Sequence, residues 1–352
     1  MEEDFNNMEN VDLDIEKEDD KLKSKIYKIT IIIFISLIII GIIGFICYLL
    51  IKKKDKDKKS EIEEENYSFK AIYETENYTE NIELIYFKYK NRILKMNIDN
   101  EEKENISSNY TFKLPGEHIV YLLLNTTDLD DLEAMFYQNQ NLKYIQFSKK
   151  FDTSKVKSMS RMFYYCKKLS SIDISNFNTQ NVVYMNDLFN GCSSLTSIDL
   201  SNFNTINAKY IYSMFSGCFS LKYANLSNFN TEKVTHINSM FQHCYSLTSV
   251  DLSNFNTKKV TSMSFMFDGC SSLKYLNLSN FDTKNSEYMI KLFSECKNLE
   301  YLDISNFSAN STHSFYNFST SLPSSGTIKV SENFYENIKQ FIPDSWNIIF
   351  NK

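Results

Sequence analysis

The sequence predicts an α/β solenoid with a parallel sheet, preceded by a single transmembrane helix and a small all-β domain. Three observations carry that reading. The stretch 156–307 repeats itself every 26 residues. Residues 29–51 form an uncharged, almost wholly apolar run. Between them, 67–127 alternates short β-branched and aromatic runs with polar turns.

In chain order, residues 1–25 are polar, with acidic clusters such as Glu18-Asp19-Asp20, and predict a disordered tail. Residues 26–51 hold the expected membrane helix. The 23 uncharged residues of 29–51 would span about 34 Å as a helix, enough for a bilayer. Lys52-Lys53-Lys54 ends the run, and no small-residue cleavage site follows, so a signal anchor fits better than a cleaved signal. Lysines flank both ends in near balance and do not fix the orientation. Residues 52–66 are a charged linker. Within 67–127, strands are expected at 69–73, 82–87, 93–98, 110–114 and 118–124, forming a β-rich cap or sandwich. The repeats occupy 128–308. The segment 309–352 is a C-terminal cap with a strand at 327–330, a Ser331-capped helix stopped by Pro343, and a last strand at 346–350.

The repeat markers share one register. Met162-Phe163 recurs as Leu188-Phe189, Met214-Phe215, Met240-Phe241, Met266-Phe267 and Leu292-Phe293. Cys166 recurs as Cys192, Cys218, Cys244, Cys270 and Cys296, and Leu169 as Leu195, Leu221, Leu247, Leu273 and Leu299. An older copy has Met135-Phe136 and Leu142, with Asn139 in the cysteine position and one extra residue before the next copy. That makes about seven coils, each burying its apolar face against its neighbours. Leu169, Ile172 and Ile174 read as a strand. Val182, Met185, Leu188 and Phe189 read as one face of a helix of roughly ten residues. Thr179 stands at its expected N-cap, and Gly191, Gly217 and Gly269 at a left-handed C-cap.

The pattern M-F-x-x-C-x-x-L-x-x-I-x-L-S-N-F-x-T, as from Met240 to Thr257, resembles the BspA-like leucine-rich repeat surface proteins. The likeness implies a right-handed leucine-rich-repeat solenoid with a parallel sheet on one face. It also implies display on a cell surface with the repeats outside, and adhesion to extracellular or host protein or glycan partners. It names no ligand.

With 38 basic and 44 acidic residues, the chain lacks the basic footprint of a nucleic-acid binder. Six of the seven cysteines occupy one repeat position each. Stacked side chains about 4.8 Å apart and pointing the same way suit a buried ladder of free thiols better than disulfides. The histidines His118, His236, His243 and His313 show no metal-ligand spacing; His236 and His243 read as polar surface residues near one helical face. No catalytic motif, cofactor fingerprint or Ca²⁺ loop occurs, so neither an enzyme nor a cofactor is expected. Ten N-x-S/T sequons lie beyond residue 51, in a chain this rich in Asn, Ser and Thr a weak sign of secretion.

The outward strand positions remain. One row runs Asp173, Asp199, Asn225, Asp251, Asn277, Asp303, and its neighbour Ser171, Ser197, Tyr223, Ser249, Tyr275, Tyr301. Alternating Asp with Asn relieves repulsion between stacked carboxylates, a structural role. The tyrosines, with lysines beside them, are less needed for folding. Lys222, Tyr223, Lys274, Tyr275 and Tyr301 are therefore the expected ligand-binding strip on the concave sheet face. The alternative is a structural surface or internal scaffold without a specific ligand.

Overall fold

The computed structural model describes residues 66–310, 312 and 314–351. Its N-terminal part contains β1 (Phe69–Thr75), β2 (Glu80–Glu83), β3 (Ile93–Ile98), β4 (Glu101–Glu102), β5 (Asn109–Phe112) and β6 (Gly116–Leu124). The expected strand 82–87 is shorter, because Phe87–Arg92 turns into a 3₁₀ helix. Every second residue of β1, from Phe69 through Ala71 and Tyr73 to Thr75, is buried, the period-2 signature of a sheet with one covered face.

Residues 67–127 are not a free-standing sandwich. β1 pairs antiparallel with β6 on one side and with β7 (Leu142–Phe147) on the other. β7 in turn pairs in parallel with β8 (Ser171–Asp173). One six-stranded sheet of order β4-β3-β6-β1-β7-β8 thus joins the N-terminal segment to the first coils. Phe69 seals the joint, with ring centroids 5.4 Å from Phe136 and 5.5 Å from Phe147. Asn139, standing where later coils have cysteine, donates from Nδ2 to the Glu83 carbonyl at 2.7 Å.

The coils continue as β9 (Ser197–Asp199), β10 (Tyr223–Asn225), β11 (Tyr275–Asn277), β12 (Tyr301–Ile304), β13 (Thr327–Val330) and β14 (Asn347–Phe350). Neighbours pair in parallel, Tyr223 opposite Ser197 and Tyr275 opposite Tyr301. Residues 249–251 form no strand, so the sheet here is in two pieces, β9-β10 and β11-β12-β13-β14.

The expected α/β leucine-rich-repeat solenoid is corrected to a β-solenoid. No coil contains a helix; among the described residues the α-helix is α1 (Glu332–Ile338), after the repeats. The hydrogen bonds explain why. Met159, Arg161, Phe163 and Tyr165 donate their N–H groups to the carbonyls of Tyr184, Asn186, Leu188 and Asn190 in the next coil, at 2.6–3.0 Å. The intervening Met162, Tyr164 and Cys166 donate three residues back, to Met159, Arg161 and Phe163. The segment is therefore a chain of tight turns with every second N–H directed along the solenoid axis. Arg161 and Tyr165 have φ of +57° and +58°, and later coils repeat this pair at Asp187/Gly191, Ser213/Gly217, Ser239/His243, Phe265/Gly269 and Lys291/Glu295. A right-handed helix cannot hold two left-handed residues in five. Turns of three residues also place Val156, Met159, Met162, Phe163, Cys166 and Leu169 inside, all fully buried. The left-handed conformation expected at Gly191, Gly217 and Gly269 is present without the helix it was to cap.

Side-chain ladders tie coil to coil. Phe136, Phe163, Phe189, Phe215, Phe241, Phe267 and Phe293 stack with centroids 5.4–5.9 Å apart. The six repeat cysteines are free and buried. Each thiol donates to a phenylalanine carbonyl of the preceding coil, as Cys244 does to Phe215 at 3.1 Å, and burial pushes these thiols well above their usual range. Thr179 is not an N-cap. Its buried hydroxyl donates to the Asn204 carbonyl at 3.1 Å and accepts the Asn204 N–H at 2.8 Å. Thr153, Thr205, Thr231 and Thr283 do the same for the residue 25 positions on, and Thr257 donates to the Asp282 carbonyl at 2.9 Å.

β13, α1 and β14 close the stack. Ser331 Oγ accepts the Phe334 N–H at 3.4 Å, and Trp346 covers the last coil by packing on Gly326, where a Cβ would stand 2.7 Å from its ring. The single-pass, cell-surface localisation is also corrected. Among the described residues no helix is long and apolar enough to cross a membrane. The seven residues of α1 would rise about 10 Å, a third of a bilayer core. The apolar run 29–51, the tail 1–25 and the linker 52–65 lie outside the described residues.

Candidate binding faces of the solenoid

The strand face presents the five residues singled out above in two groups. Lys274, Tyr275 and Tyr301 come together at β11 and β12. Lys274 Nζ lies 3.0 Å from Glu300 Oε1, and the Tyr275 hydroxyl donates to Glu300 Oε2 at 3.1 Å. These two contacts, the lysine first, hold the Glu300 carboxyl below its usual range. Tyr301 is half-buried and its hydroxyl points to Asp303 Oδ2, 3.5 Å away. Tyr223 opens β10, with Lys222 just before it, two coils earlier and with the coil of Ser249 between. Tyr223 and Tyr275 are 52% and 62% exposed, among the most open large side chains of the described residues.

The neighbouring Asp/Asn row has the structural role anticipated for it, by a different mechanism. Each Oδ1 accepts the backbone N–H two residues on, from Asp173 with Ser175 to Asp303 with Ser305. These bonds start the turn that leaves each strand. They also hold Asp199 and Asp251 below the usual carboxylate range, the Ser201 and Ser253 N–H groups being the main cause. Among the described residues no group of His, Cys, Asp and Glu is arranged to hold a metal ion.

Other faces carry exposed aromatics that the sequence did not single out. Tyr184 stacks on Tyr210 at 5.4 Å, and His236 lies tilted against Tyr210 at 5.7 Å, along a ladder of single parallel bridges that runs from Asp131 to Ser314. Phe219 and Tyr245 stack at 5.1 Å while 46% and 43% exposed. His236 and His243 do not share a helical face. His236 belongs to the bridge ladder, and His243, with φ of +58°, packs over Gly269. The 26-residue register already placed these aromatics at variable positions; the helix assigned there hid their direction.

A model of the family described as "Mycoplasma protein of unknown function, DUF285" matches residues 130–247 and 218–331, together more than half of the 352-residue chain. The chain belongs to this family. The DUF285 matches overlap at 218–247, as expected when one repeat pattern fits at more than one register. They cover the solenoid coils and leave β1 to β6 outside. No curated protein and no solved structure matches the chain.

Proposed function

We propose that the chain is a non-enzymatic repeat protein that binds a protein or glycan partner through the outward row of its strands, with Lys222, Tyr223, Lys274, Tyr275 and Tyr301 as the contact strip. The observation that carries this reading is the exposure of Tyr223 and Tyr275 on a backbone fixed by coil-to-coil pairing. An exposed aromatic on a rigid strand offers apolar area with little ordering cost, and its hydroxyl adds a directional bond. The fold does not need these rings, because Ser197 and Ser249 fill the same position in neighbouring coils. The repeat consensus shared with BspA-like surface proteins supports a binding role at the level of the repeat.

Replacing Tyr223, Tyr275 and Tyr301 together by Ser is expected to leave the melting temperature near that of the parent. Binding to the partner, isolated by affinity capture on the parent chain, should fall at least about tenfold, or 1.4 kcal/mol. Unchanged binding by a folded triple variant would remove the strand row from the site. One observation favours a scaffold with no specific ligand: Lys274 and Tyr275 already share Glu300. Under that reading, capture on the parent and on the triple variant would return the same proteins and glycans.

A further inference from the structure

An open groove of about 710 Å³ runs along the coils on a different part of their circumference from the strand row. It is lined by Lys155, Lys157, Asn181, Val183, Asn207, Lys209 and Lys233, with Asp128 and Asp130 at its N-terminal end. The register explains the arrangement. Lys157, Val183 and Lys209 hold one repeat position in three successive coils, and Lys155, Asn181, Asn207 and Lys233 hold another in four. Lys155 is paired with Asp128 at 2.9 Å, and Lys233 donates to Asn207 Oδ1 at 2.7 Å. Lys157 and Lys209 are exposed and make no ion pair among the described residues. At about 4.8 Å per coil their positions are roughly 10 Å apart, with apolar Val183 midway.

We propose that this groove holds an acidic polysaccharide lying along the solenoid axis, with successive carboxylates on Lys157 and Lys209 and the sugar between them packed on Val183. Two sugars per two coils puts one carboxylate on every second sugar in register with the two open ammonium groups. On the parallel row the Asn181 and Asn207 amides donate to the Ser154 and Gln180 carbonyls at 2.7 and 2.8 Å, which fixes that wall of the groove. Asp128 and Asp130 repel a polyanion and so mark the end of its track.

Other polyanions fit less well. No aromatic residue lines the groove, whereas single-stranded nucleic acids are held by base stacking. An acidic peptide would gain no strand pairing here. The N–H groups of Lys157, Val183, Lys209 and Thr235 already donate to the Asp130, Lys157, Val183 and Lys209 carbonyls of the preceding coils. An extended peptide also repeats its side-chain direction about every 6.6 Å, out of step with the coil spacing.

The test uses the full chain and hyaluronan oligosaccharides, which carry one carboxylate per two sugars, with dextran, polyglutamate and oligo(dT) as comparisons. Binding is measured in moderate salt by calorimetry or anisotropy. Hyaluronan should bind and dextran should not. The pair Lys157→Glu and Lys209→Glu should lower hyaluronan affinity at least tenfold with an unchanged melting temperature. Lys258→Glu with Lys284→Glu, the same charge change at exposed sites outside the groove, should change it less than twofold. The assignment is overturned if the parent does not bind hyaluronan, if the two double variants lose affinity equally, or if polyglutamate or oligo(dT) binds as tightly.

Discussion

Replacing Thr231 by valine is expected to destabilise the solenoid by about 2–6 kcal/mol, although the two side chains are nearly isosteric. Thr231 is buried, and its hydroxyl both donates to the Asn256 carbonyl at 3.0 Å and accepts the Asn256 N–H at 2.7 Å. Valine fills the space and leaves both backbone groups of Asn256 unpaired. Each such orphan costs about 1–3 kcal/mol. Thr231→Ser keeps both bonds and loses one methyl group, so it should cost about 1 kcal/mol. Urea denaturation of the three proteins checks this. Equal stability of the Val and Ser variants would mean that the hydroxyl does not join the coils.

Deleting residues 234–259 should leave a folded, cooperatively unfolding protein, whereas deleting 234–246 should abolish folding. The first removes one period of 26 residues. It brings Cys218 and Phe215 against Cys270 and Phe267, so every ladder reconnects with its own kind. The second joins Lys233 directly to Leu247 and removes a whole turn segment, including buried Val234, Ile237, Met240, Phe241 and Cys244. In a linear array the whole-coil deletion costs about one coil and one interface. Circular dichroism melts and gel filtration separate the outcomes. A half-coil deletion that melts like the parent would contradict the coil register.

Much of the coil was legible in the sequence because the period fixes which residues stack. The buried ladders of Phe163, Cys166 and Leu169 follow directly from it, while the order of β13, α1 and β14 is read from the Ser331 cap and the Pro343 stop beyond the repeats. The turns were not legible, for a specific reason. Val182, Met185, Leu188 and Phe189 are spaced by three, three and one, and a helix template accepts that spacing on one face. A chain of three-residue turns buries the same positions. What separates the two is backbone hydrogen bonding to the next coil, which leaves no residue signature except glycine at φ > 0. Gly191, Gly217 and Gly269 carried that signature, but Tyr165, His243 and Glu295 take the same conformation without it. The strand tyrosines were legible because a strand alternates its faces. The groove lysines were missed because Lys157 and Lys209 sit in the segment assigned to the start of a helix, where their common direction could not be read.

The central claim is that alternate N–H groups of each turn segment bond to the next coil and not within a helix. Scalar couplings across hydrogen bonds, measured by NMR on isotopically labelled protein, test it directly. The N–H groups of Met185, Asp187, Phe189 and Gly191 should couple to the carbonyls of Tyr210, Tyr212, Met214 and Ser216, where the donor–acceptor distances are 2.7–3.0 Å. Couplings instead to the carbonyls four residues back in the same coil would restore the helix and contradict the β-solenoid.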